Sequence, residues 1–146
     1  MYKLLSKSPG FTKKLSDIAN KYGTGLKEHN GDYLKNSILL EHPVIDLAAM
    51  NVAPEFGFVE TEAYLELCET ENKFIEESKR SHLREMLTKY AVLGQRWRKW
   101  MVGEKRNASV EEIMANKEDV DQITRMCGHY TLDIDDVKSE IKVLND

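Results

Sequence analysis

The chain has no long hydrophobic run. No uninterrupted apolar stretch approaches the roughly 18 residues that a membrane-spanning helix needs, and the opening "MYKLLSKSPG" has no apolar core of signal-peptide length. A membrane partner is therefore not expected, and the expected location is the cytoplasm. A basic surplus is missing too. The 21 Lys and Arg stand against 25 Asp and Glu, a net charge of -4, so no excess of cations exists to neutralise the phosphates of a nucleic acid. Cysteine is scarce. Cys68 and Cys127 form no CxxC and sit among apolar neighbours in helical patterns, which reads as two buried free thiols rather than a disulfide or a metal pair. There is no internal repeat and no low-complexity tract.

What is present suits a single globular domain: 146 residues, 41% of them hydrophobic and 32% charged. In "SPGFTKKLSDIANKYG", Ser8 is placed to cap a helix and Pro9 to open its first turn. Phe11, Leu15, Ile18, Ala19 and Tyr22 recur at helical spacing as a core stripe, and Gly23 supplies the stop. "TGLKEH" is a short strand candidate. Asp32 is placed to cap a short helix in "YLKNSILLEH", which Pro43 ends. Residues 44–52, "VIDLAAMNV", form an apolar run between Pro43 and Pro54, too short for a typical helix and best read as a buried parallel strand.

The rest is helical. A helix from Gly57 to about Glu77 carries Val59, Ala63, Tyr64, Leu67, Phe74 and Ile75 on its apolar stripe, with Glu60, Glu62, Glu66, Glu69 and Glu71 on a solvated face. Leu83, Met86, Leu87, Tyr90, Trp97, Trp100 and Met101 continue the helical spacing. Ser109 and Glu112 fit a capping box opening a helix that Gly128 breaks, and Asp133 is placed to cap a last one bearing Ile134, Val137, Ile141 and Leu144. The early alternation of strand and helix predicts an α/β start. Two parallel strands alone leave both edges unpaired, so further strands or covering helices are required.

Two polar loops each follow a strand candidate and precede a helix. The first offers Lys27, Glu28, His29, Asn30, Gly31 and Asp32; the second offers Asn51, Pro54, Glu55, Gly57 and Glu60. Ligands of parallel α/β folds bind at such carboxyl ends of strands. Gly31 lets the backbone approach a ligand, and the N–H groups opening the two following helices favour a phosphate. Glu28 and Asp32 are the candidate acid/base pair. Lys27, Asn30, Gly31, Asn51 and Glu55 are candidate substrate-binding residues.

"GTGLKEHNGDYL" followed by "NVAPEFGFVETEAYLEL" resembles the last part of the barrel in the accessory, non-catalytic subunit family of D-tagatose-bisphosphate aldolase. "RWRKWMVG" and "DQITRMCGHYTLDIDDVKSEIKVL" are similar to its aromatic, basic and helical tail. That family is related in fold to the zinc-dependent class II fructose-bisphosphate aldolases. The resemblance implies the last two β/α units of a (β/α)8 barrel over residues 1–77, followed by a helical tail over 78–146. His29 then matches a zinc ligand and Asn51 a position near the sugar phosphate, although "HNGD" lacks the second glycine and the serine that cradle phosphate in those enzymes. Zinc is the implied cofactor. A complete zinc site needs three protein ligands, and His42, His82 and His129 are not expected to join His29: His42 is placed on the opposite rim, His82 on an exposed helix, His129 at a helix end.

The function implied by the resemblance is an accessory or stabilising subunit for a ketose-bisphosphate aldolase, within carbohydrate metabolism. Its partner is the catalytic subunit or the missing N-terminal barrel segment, and an oligomer is expected. Two alternatives stand beside it. One is a metal-assisted sugar-phosphate aldolase site completed by another chain. The other is a helical interaction domain without catalytic duty, with Trp97 and Trp100 as core or interface anchors.

Overall fold

The computed structural model describes residues 9–145, and 67% of the structure is helical. Ser8, the expected cap of the first helix, lies outside the described residues. The chain divides into two compact units at the boundary between Glu55 and Phe56.

The first unit holds α1 (Pro9–Lys21), β1 (Leu26–Glu28), α2 (Asn36–Leu39) and β2 (Leu47–Met50). The strands pair in parallel, with Leu26 opposite Leu47 and Glu28 opposite Met50. Gly25 allows the strand backbones to approach, since a Cβ there would overlap the Ala48 side chain. The two strands form a sheet with no third member among the described residues.

The expected α/β architecture, two closing β/α units of a (β/α)8 barrel with a helical tail, does not form. The strands are three and four residues long, and α2, at four residues, is too short to cover a sheet face. Parallel sheets are stable with both faces covered, and this one lacks the length, with Lys27, Ala48 and Ala49 exposed. The apolar run is accordingly not a buried strand: Val44, Ala48 and Ala49 are exposed.

The first helix is turned the other way from its expected orientation. Phe11 is 63% exposed, Ile18 55% and Tyr22 77%, while Thr12 and Ser16 are buried. The Ser16 hydroxyl donates to the Thr12 carbonyl at 3.3 Å, which satisfies it inside the helix. The polar face is the one that makes contacts: Asn20 donates to the Asp46 carboxylate, and Lys13 lies 3.7 Å from the same group. Among the described residues of this unit the buried ones are Thr12, Ser16, Gly31, Asp32 and His42, with no large apolar side chain among them.

The second unit has the core. α3 (Pro54–Phe74) starts at the end of the first unit and is followed by α4 (Leu83–Leu93), α5 (Val110–Met114), α6 (Lys117–Cys127) and α7 (Asp135–Asn145). Leu83 and Leu87 of α4 pack with Leu65, Cys68 and Val137. Ala91 and Val92, one turn further on, pack with Trp97, Ile113, Ile123 and Cys127. A single helix thus serves two apolar clusters. Trp97 is 1% exposed and its indole N–H donates to the Val92 carbonyl at 2.9 Å, so the polar end of a large core side chain is satisfied.

Helix boundaries follow local chemistry. The Ser109 hydroxyl accepts from the Glu112 N–H at 3.1 Å, and the Glu112 carboxylate accepts from the Ser109 N–H at 2.7 Å, a capping box that opens α5. The helix expected from there to Gly128 is instead two helices. Asn116 interrupts it, its side-chain oxygen accepting from the Glu118 and Asp119 N–H groups at 3.0 and 3.2 Å. An asparagine that caps this well competes with helix continuation.

Candidate functional site

The carboxyl ends of β1 and β2 lie side by side, and pairing continues beyond the strands. Asn51 N–H donates to the Glu28 carbonyl at 3.3 Å, and Gly31 N–H donates to the Asn51 carbonyl at 3.0 Å. Asp32 is buried, and its carboxylate accepts from the N–H groups of Ala53 and Glu55 at 2.9 and 3.0 Å. Asp32 therefore caps α3 rather than α2, whose N-cap is Lys35 without a side-chain bond. Glu55 returns the contact by accepting from the Tyr33 N–H at 2.6 Å. The two polar loops are laced together by five backbone donors.

That lacing holds an unusual backbone. Asn30 and Tyr33 both adopt left-handed conformations, at φ 63° and 60°. Asparagine tolerates this; for tyrosine it costs free energy. The Glu55 carboxylate on the Tyr33 N–H is one contact that offsets the cost.

The candidate residues separate into two groups. Glu28, Gly31, Asp32, Asn51 and Glu55 converge. Lys27, His29 and Asn30 are exposed. Gly31 faces protein rather than a ligand, since a Cβ there would overlap the Met50 thioether. The phosphate cradle expected at the helix starts is absent for a physical reason: α2 is one turn long, and the first N–H groups of α3 already hold the Asp32 carboxylate.

Zinc does not fit these donors. His29 is exposed, Asp32 is committed to backbone N–H groups, and Glu28 faces a different histidine. Among the described residues, no group of three His, Cys, Asp or Glu side chains is placed to hold a metal ion.

That different histidine is His42, which sequence reasoning set on the opposite rim. The chain between α2 and β2 brings its Nε2 to 3.3 Å from the Glu28 Oε2, with both side chains mostly buried. Close as they are, the two atoms complete no hydrogen bond with each other. Glu28 Oε2, His42 Nε2 and the Asn51 Oδ1 are buried without a hydrogen-bond partner. Three orphaned polar atoms in a unit this small are costly. Nothing in the linear spacing of Glu28 and His42 signals the pair, because a crossover with no periodic pattern makes it.

The arrangement defines a short parallel strand pair with interlocked polar loops at its carboxyl end, joined in sequence to a helical unit. No family model, curated protein or solved structure matches the chain. No helix of the described residues is long and apolar enough to cross a membrane.

Proposed function

We propose that the chain is a non-catalytic accessory protein whose first unit docks on an enzyme of carbohydrate metabolism, of the ketose-bisphosphate aldolase type. The observation that carries the reading is the orientation of α1. Phe11, Leu15, Ile18 and Tyr22 form an outward apolar stripe in a unit that buries no large apolar side chain. Full burial of each is worth about 1.5–3 kcal/mol, so a partner that covers the stripe supplies what this unit lacks. The resemblance of "KEHNGDYL" and "NVAPEFG" to the accessory-subunit family gives the partner its chemical identity. The cytoplasm is the proposed setting, where the free, buried Cys68 and Cys127 persist as thiols.

A non-catalytic role agrees with how the candidate acids are used. Of the candidate pair, Asp32 is a cap whose carboxylate is taken up by the Ala53 and Glu55 N–H groups, while Glu28 faces His42; Glu55 is likewise a backbone acceptor. A second reading, that the strand-end loops also take a hydroxylated ligand such as a sugar phosphate, is favoured by the orphaned atoms of Glu28, His42 and Asn51.

The test is sedimentation of the full chain with a tagatose-bisphosphate-type aldolase catalytic subunit, followed by that enzyme's activity. A complex, lost in the Phe11→Ser/Ile18→Ser variant, and a longer active lifetime of the enzyme are expected. No complex at micromolar concentrations, or one that the double variant leaves intact, overturns the reading.

A further inference from the structure

The second unit holds a cavity of about 80 Å³ beside α4, and Tyr90, Ala91, Arg96, Cys127, Tyr130 and Ile134 are among its walls. Two cations stand at Tyr130. The Arg96 guanidinium lies 4.6 Å from the ring centre and the Lys99 Nζ 5.5 Å from it. Lys99 also lies 5.1 Å from the Trp100 ring. Aromatic faces hold cations in this way without neutralising them. Elsewhere in this unit Lys105, Arg125 and Lys138 pair with Asp119, Glu62 and Asp133. Arg96 and Lys99 have no carboxylate partner among the described residues.

The inner wall has a different character. The Tyr90 hydroxyl is committed to Asp136, and the Thr131 hydroxyl donates to the Gly128 carbonyl at 2.7 Å. What remains is aromatic, aliphatic and thiol. Burial pushes the Cys127 thiol up to about 11, with Lys99 and Arg96 acting in the opposite direction. The same thiol thus senses both a wall of low polarity and the two cations.

We propose that this cavity binds a short-chain aliphatic carboxylate, with its head on Arg96 and Lys99 and its chain against Cys127 and Ala91. A recess walled by Arg96, with Lys99 over the same Tyr130 ring and neither cation paired with a carboxylate among the described residues, selects an anion with an apolar arm. The guanidinium fork matches a carboxylate. The volume sets the arm: a cavity of ~150 Å³ accepts benzene, so this one suits a chain of a few carbons rather than a ring. This site is independent of the partner proposed for the first unit.

Titration of the full chain, followed by amide and indole proton–nitrogen chemical shifts, tests it with three probes: butanoate, butanamide and inorganic phosphate. Butanoate is expected to give saturable shifts at Ala91, Tyr130 and the Trp100 indole. Binding at least about tenfold weaker is expected for each of the other two. Arg96→Gln and Lys99→Gln, both at exposed positions, are each expected to weaken butanoate about fivefold or more, while Lys142→Gln leaves it unchanged. Absence of saturable shifts up to about 50 mM butanoate, where a ~10 mM site fills, overturns the proposal. So does equal binding of butanamide, which reports an apolar hole alone, or of phosphate, which reports surface cations alone. Indifference to both cation substitutions overturns it as well.

Discussion

The Glu71 carboxylate accepts from both the backbone N–H and the hydroxyl of Ser81, at 2.6 and 2.8 Å, across the turn that joins α3 to α4. Glu71 is 9% exposed. The acid that a helical wheel assigns to the solvated face is a buried staple, tolerated because both donors are directed at it.

Replacing Glu71 with Ala leaves the two Ser81 donors without their acceptor. A loss of about 1–3 kcal/mol is expected, and Glu71→Gln, which keeps one carbonyl oxygen, loses less. Urea denaturation followed by tryptophan fluorescence measures both, since Trp97 lies in the core of the same unit. An unchanged midpoint for the alanine variant removes the staple from the account of stability.

Gly57 sits against His129, and a Cβ at Gly57 would overlap the root of the imidazole ring. Gly57→Ala is expected to cost about 1–3 kcal/mol, the usual penalty for overpacking. Gly10, within α1 and with nothing near its Cβ position, is the contrasting case. Gly10→Ala is expected to stabilise by up to about 1 kcal/mol. Equal effects from the two substitutions would mean that helix propensity alone governs both sites.

Asp32→Ala removes the cap of α3 and unlaces the loops. A cost of about 0.5–2 kcal/mol is expected, together with faster proteolytic cutting between residues 28 and 34. Asp32→Asn keeps one acceptor oxygen and is expected to fall between. Unaltered cutting in the alanine variant would show that the left-handed residues Asn30 and Tyr33 hold the loop without it.

Burial lowers the pKa of His129 from its ordinary 6.5, with Glu60 opposing the shift and Arg96 and Lys99 adding to it. The folded chain therefore prefers the neutral ring. Below 6.5 the unfolded chain binds more protons, so this contribution to stability is complete above 6.5 and fades as pH falls through the folded value. Urea midpoints between about pH 7.5 and pH 5 are expected to drop, and less steeply in His129→Gln. Parallel profiles for the two proteins would assign the pH dependence to other groups.

Part of the candidate site was legible in the chain. The polar segments around Glu28 and Asn51 each follow a strand candidate, and those strands pair in parallel. Asp32 was readable as a cap, but not as the cap of a helix beginning 22 residues later at Pro54. His42 was not readable, because its approach to Glu28 depends on a crossover without hydrophobic periodicity.

By itself the sequence determined the local events: the Ser109–Glu112 capping box, the helical spacing that places Leu83 and Leu87 on one face, the scarcity of strand-forming length. These depend on neighbours within a turn or two, where side-chain chemistry acts directly on the backbone. Tertiary structure alone decided which face of a helix meets protein. In α1 the apolar stripe faces outward while Lys13 and Asn20 meet Asp46 on the polar side, and other large apolar side chains of the first unit, Leu40 and Val44, are themselves exposed. Periodicity records that a helix has two faces; what packs against it selects one.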